Sequence, residues 1–240
     1  MALKIKKIIN LFSNLFYPKI CLFCRKPGSY LCFDCFFKIE TFSSPFCPYC
    51  KKRTFDGKIC KNCKKYLSGF ISASSFSQPQ VKKLIYSFKY DFIKEVSVFL
   101  ALLIYRFLNE NPEIEFFKNP YDFLIVPIPL HKKRLRWRGF NQSEEIGKHL
   151  SSFLKIPQKR DLLLKIKNNS PQVVLEKNER EKNVKGVFRV NEKYLKILPS
   201  KKIILLDDVA TTLSTLEEAA KVLKKRKAKE IWGVVVAKEK

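Results

Sequence analysis

Apolar positions follow two different periods along this chain. Val96, Phe99, Leu100, Leu103, Ile104 and Phe107 recur at helical spacing and predict a helix over Ile93–Leu108 that Asn111-Pro112 ends. Amphipathic helical patterns also cover Gln80–Phe88, Gln142–Leu154 and Thr215–Arg226. Between them lie short runs rich in β-branched or apolar residues, Gly69–Phe76, Asp122–Ile128, Ile203–Leu206 and Glu230–Ala237, which read as buried strands. Strands alternating with helices imply a parallel sheet flanked by helices, an α/β fold.

The N-terminal segment is basic and then apolar. Leu3, Ile5, Ile8, Ile9, Phe12, Leu15 and Phe16 suit a short amphipathic helix docked on the protein's own core. Asn10, Ser13 and Asn14 interrupt its apolar run, and no small-residue cleavage site follows, so a secretory signal is not expected. The nearest approach to a membrane span, Val96–Leu108, is broken by Arg106. The expectation is a cytoplasmic protein with no transmembrane segment.

All eight cysteines precede residue 64, in four pairs of one spacing: Cys21/Cys24, Cys32/Cys35, Cys47/Cys50 and Cys60/Cys63. A C-x-x-C turn places two thiolates on one side of a tight loop, and two such turns complete a tetrahedral sulfur shell. Eight ligands suit two zinc ions in closed, structural sites with no open position for water. A disulfide scaffold is disfavoured by the absence of a signal peptide and by a cysteine-free remainder. Sequential pairing and a cross-braced arrangement use the same residues, and both stay open. Cysteine disappears after this block, which divides the chain into a zinc-binding module over 1–68 and an α/β domain over 69–240.

Charge adds a partner class. The chain has 240 residues, 46% hydrophobic, with 48 Lys+Arg against 22 Asp+Glu, a net charge of +26. Such an excess attracts polyanions, nucleic acid first, then membrane lipid headgroups and phosphorylated metabolites, although lysine enrichment is also compatible with a genome bias or a thermophilic surface. Among the thiols, Lys51, Lys52, Arg53, Lys58, Lys61, Lys64 and Lys65 are interleaved with Tyr49, Phe55 and Tyr66, a pattern that suits either a single-stranded nucleic acid surface or a solvated face. Lys132, Lys133, Arg134, Arg136 and Arg138 concentrate five cations beside His131, enough for a diphosphate or several nucleic acid phosphates.

The most explicit chemistry follows the third apolar strand. Asp207 and Asp208 end it, and Thr211, Thr212, Leu213, Ser214 and Thr215 lead into a helix. Hydroxyls and backbone N–H groups at a helix N-terminus suit a phosphate, and adjacent acids can accept from ribose hydroxyls or approach Mg²⁺. The plainer alternative is a capping box between Ser214 and Glu217.

This segment resembles the phosphoribosyl pyrophosphate (PRPP)-binding motif of type I phosphoribosyltransferases. The whole chain looks like the ComF family of competence-associated, amidophosphoribosyltransferase-like proteins. The residues that carry the likeness are the CxxC pairs, Val126-Pro127-Ile128-Pro129-Leu130, Arg134 to Gln142, Ser170-Pro171-Gln172 and Asn183 to Phe188. The resemblance implies a type I phosphoribosyltransferase-like sheet, PRPP with Mg²⁺ on Asp207–Thr215, a pyrophosphate near Val126–Leu130, and a hood over Ser170–Gly186. Leu213 stands where that motif has glycine, and leucine opposes the positive φ expected there.

Three readings follow. The resemblance implies a DNA-uptake factor for natural transformation that handles single-stranded DNA, PRPP and the uptake machinery. An active phosphoribosyltransferase of nucleotide metabolism is the second, although His131 and mid-helix His149 are the only histidines and no general acid or base is evident. A zinc-dependent nucleic-acid-binding module is the third.

Overall fold

The computed structural model describes residues 18–114, 116, 119–167 and 184–239. The N-terminal amphipathic segment and most of the expected hood lie outside them. The chain forms two compact units divided between Glu40 and Thr41. The second pair of CxxC turns, which the sequence groups with the first in a 1–68 module, therefore belongs to the larger unit.

Among its described residues the smaller unit holds one short helix, α1 (Phe33–Phe37). The larger contains a four-stranded sheet in the order β1 (Gly69–Ser75), β6 (Glu230–Lys238), β5 (Lys202–Ala210) and β2 (Phe123–Pro127). Every pairing in it is parallel, as the alternation of periods requires. Val126 lies opposite Leu205, and Asp207 opposite Val235, so β5 runs past the end of β2 and carries both acids beyond it.

Strand alternation sorts the core. Ile203 and Leu205 face one layer with α6 (Ser214–Lys225) and the antiparallel pair β3 (Leu163–Lys165) and β4 (Phe188–Val190). Cys47, Ile59 and Leu67 join this layer, so the second cysteine loop is part of the sheet's packing. The opposite layer holds α2 (Pro79–Tyr90), α3 (Val96–Glu110) and α5 (Gln142–Leu154). Helix α2 starts with Pro79 at its first turn and buries Val81, Leu84, Ile85 and Phe88, one stripe of a 3.6-residue period. Gly147 lets α5 approach β5 closely, since a Cβ there would run into the Gln158 amide and Leu206.

Two elements depart from the expected pattern. Helix α4 (Lys132–Arg138) forms within the cationic run, capped by His131 Nδ1, which accepts from Lys133 N–H, and closed by left-handed Gly139 at φ 77. Its single turn of apolar residues was too short to register as a period. Strand β5 extends through Asp207 and Asp208 to Ala210, because β6 continues pairing alongside it as far as Lys238.

Candidate functional site

The two acids stand at the carboxyl end of β5, where parallel sheets gather ligands. Asp207 Oδ1 accepts a hydrogen bond from Ser143 Oγ at 2.9 Å. Asp208 Oδ2 lies 2.7 Å from Lys89 Nζ. Ser143 opens α5, positioned by Asn141, whose side chain accepts from Ser143 N–H and donates to the Ile128 carbonyl. Lys89 comes from the last turn of α2.

Burial pushes the Asp207 carboxyl up to about 7, and the neighbouring Asp208 charge adds to it, while Lys89 and the Ser143 hydrogen bond pull the other way. Cations surround the pair. Burial holds Arg134 and Arg138 below their usual value, with Asp208 raising Arg138 in return. Both guanidinium groups remain charged at neutral pH. Lys165 on β3 falls to about 8 through burial and the charge of Arg134, opposed by Asp207. The Nε of Arg138 is buried and has no hydrogen-bond partner among the described residues.

The structure thus divides the five cations of the sequence. Arg134 and Arg138, one helical turn apart on α4, are half-buried, Arg138 within electrostatic reach of Asp208 and Arg134 of Lys165, whereas Lys132, Lys133 and Arg136 are exposed. Lys89, Ser143 and Lys165 complete the set and carry no sequence signal; each lies on an element remote in the chain. His149 stacks on Phe153 on the outside of α5 and takes no part.

Asp207 and Val209 to Leu216 line a hollow of ≈ 30 Å³ beside the acids. Leu213 adopts φ 65, the left-handed conformation that glycine would take, so leucine does not prevent this turn. Its side chain is 4% exposed and packs into the core with Leu216 and Ala220. That burial offsets a conformational cost of about 1–2 kcal/mol. Helix α6 begins without a side-chain cap. The alternative capping box does not form: Glu217 instead accepts from Tyr49 Oη and, at 3.0 Å, from Tyr66 N–H. Thr212 and Ser214 hydroxyls bond to each other at the hollow's edge.

The cysteines settle into two clusters by sequential pairing. Cys21, Cys24, Cys32 and Cys35 bring four Sγ atoms within 4.8 Å of one another, and Cys47, Cys50 and Cys63 do the same, with Cys60 Sγ 3.7 Å from that of Cys50. The Cys32 N–H points at Cys21 Sγ, 3.5 Å away. Cys21 is lowered to about 6, backbone N–H groups outweighing burial, while burial and its three sulfur neighbours push Cys35 up to about 12. Four thiolates this close repel one another unless a cation neutralises them, and an all-sulfur tetrahedral set is the donor set of zinc.

Comparison with known proteins agrees. Residues 12–65 match the double zinc ribbon domain, so both clusters are structural zinc sites. The chain is 30% identical to competence protein F of Haemophilus influenzae over 92% of its own length and 99% of the relative's. It is 27% identical to competence protein ComFC of Bacillus subtilis over 88% and 85% of the two chains. It is 26% identical to DNA utilization protein YhgH of Escherichia coli over 90% and 96%. With an aligned length that leaves almost nothing of the Haemophilus protein unmatched, and with both zinc ribbons in place, this chain belongs to the ComF family of competence proteins.

Proposed function

We propose that this protein acts in DNA uptake during natural transformation, in the cytoplasm, by binding single-stranded DNA and a PRPP-type ligand on its phosphoribosyltransferase-like domain. The names of its relatives support the process. The observation that carries the ligand reading is the convergence of Asp207 and Asp208 with Lys89, Arg134, Arg138 and Lys165 beside the hydroxyl-lined start of α6. Acids able to accept from a vicinal diol, cations able to meet a diphosphate, and an uncapped helix N-terminus fit the parts of one phosphoribosyl diphosphate. Mg²⁺ bound with the ligand would supply charge to the diphosphate, and Asp207 and Asp208 are the residues to hold it. No helix among the described residues is long and apolar enough to cross a membrane.

Calorimetric titration of PRPP with Mg²⁺ tests this. Heat with the wild type that disappears in the Asp207→Asn/Asp208→Asn variant supports the reading, and no heat with a correctly folded wild type overturns it.

One observation favours the enzymatic reading as well. Asp207, held near neutrality at about 7, is a group able to accept or return a proton, a role the sequence left without a candidate. Under it, Asp207 takes the proton of an acceptor nucleophile, leaving Asp208 to hold the Mg²⁺, while Arg134, Arg138 and Lys165 stabilise departing pyrophosphate. Pyrophosphate release that requires an added nucleophile, and is lost in Asp207→Asn, distinguishes catalysis from binding alone.

A further inference from the structure

Helix α2 turns its apolar stripe to the core, yet its outer face is aromatic as well. Tyr86 and Tyr90, four residues apart, are each 47% exposed, with ring centroids 5.4 Å apart. Phe76 stacks beside Tyr86 at 6.5 Å with an interplanar angle of 22°. Past the helix, Phe92 is 42% exposed and meets the 62% exposed Trp137 of α4 edge to face at 5.5 Å. Arg138 joins the two groups, its guanidinium 5.9 Å from the Tyr90 ring and 5.5 Å from that of Trp137.

Four large aromatic side chains exposed side by side are not needed for packing, because the core stripe of α2 is already filled by Val81, Leu84, Ile85 and Phe88. The strip is also cationic. Lys82 Nζ lies 5.9 Å from the Tyr86 ring centroid, and exposed Lys132, Lys133 and Arg136 share α4 with Trp137. One exposed carboxylate belongs to the strip, Asp91 between Tyr90 and Phe92, against the cations of α2 and α4; Asp208, at the inner end, is paired with Lys89.

We infer that the strip Tyr86–Tyr90–Trp137–Phe92 is the stacking platform for a single-stranded nucleic acid, whose bases lie on the rings and whose phosphates meet Lys82, Arg136 and the lysines of α4. Successive rings present faces that any base can stack on, and flanking cations follow the backbone, which is the chemistry of sequence-tolerant single-strand binding. Arg138 belongs both to the platform and to the acid site, so the strand lies against the phosphoribosyl site. This rests on the reading that the chain binds single strands. The platform is separate from the ribbon aromatics, of which Tyr49 is engaged by Glu217 while Phe55 and Tyr66 are exposed.

Fluorescence tests it directly, because Trp137 is exposed and the other tryptophan, Trp232, is fully buried. Titration with oligothymidylate quenches the Trp137 emission, and the quench is lost in Trp137→Phe. Tyr86→Ala, Tyr90→Ala and Trp137→Ala each weaken strand binding by roughly ten-fold, read by anisotropy of a labelled strand. These positions are exposed, and unchanged thermal unfolding and zinc content confirm that each variant folds. Strand binding at wild-type strength in all three variants overturns the platform while leaving single-strand binding intact. No strand binding by the wild type removes both. Vesicles of phosphatidylglycerol that quench Trp137 where the strand does not would overturn the assignment in favour of a lipid surface.

Discussion

Lys89 Nζ sits 2.7 Å from Asp208 Oδ2, joining the end of α2 to the end of β5 across 119 positions of sequence, with the two side chains only 22% and 8% exposed. The pair balances one of the two acid charges at the end of β5. Removing the lysine leaves a buried carboxylate without its partner.

Lys89→Met should therefore lower stability by about 3 kcal/mol in urea unfolding. Adding Asp208→Asn to it should recover most of that loss, since no charge is then stranded.

Stability should fall as pH rises from 3.8 to about 7 on account of Asp207. Across that window the unfolded chain has released this proton and the folded chain still holds it, so ionisation favours unfolding. Lys165 works in the opposite direction: its folded value of about 8 lies below the ordinary 10.5, so stability rises with pH between them. Denaturation midpoints measured across both ranges should lose the first slope in Asp207→Asn and the second in Lys165→Met.

Leu213→Gly should destabilise the protein by about 2 kcal/mol and leave phosphate affinity unchanged. Glycine relieves about 1 kcal/mol of left-handed strain, but the buried leucine side chain is worth more than that. Urea unfolding and calorimetry with PRPP read the two effects separately, and tighter binding in the variant would show that leucine does obstruct the loop.

Two zinc equivalents should be released by strong chelation, and one each should be missing from Cys24→Ser/Cys32→Ser and from Cys50→Ser/Cys60→Ser. Only the second variant should alter the emission of Trp232, because a Cβ at Gly57, in the loop between the second pair of CxxC turns, would touch that ring. Equal disturbance by both variants would contradict the division of the chain at Glu40.

The fold was legible wherever periodicity or spacing is local. The cysteine spacing pointed to the clusters, and the apolar runs at Phe123–Pro127 and Ile231–Ala237 pointed to strands because each is buried along its length. Asp207 and Asp208 were visible as acids out of place after an apolar run. Lys89, Ser143 and Lys165 were not visible, because their place in the site is set by how α2, α5 and β3 pack, and a lysine at a helix end looks the same whether or not it meets a carboxylate. The separation of Arg134 and Arg138 from Lys132, Lys133 and Arg136 likewise needed the rotation of α4. At Leu213 the sequence shows the missing glycine but not the core contacts that hold leucine in the same turn.

Cys47, a metal ligand, is also fully buried in the core that contains Leu213, Leu216 and Phe70. The second ribbon is consequently not a module that recombination can exchange between proteins, since a foreign ribbon would arrive without the side chains that complete the sheet. A crossover after Glu40 would leave that core whole.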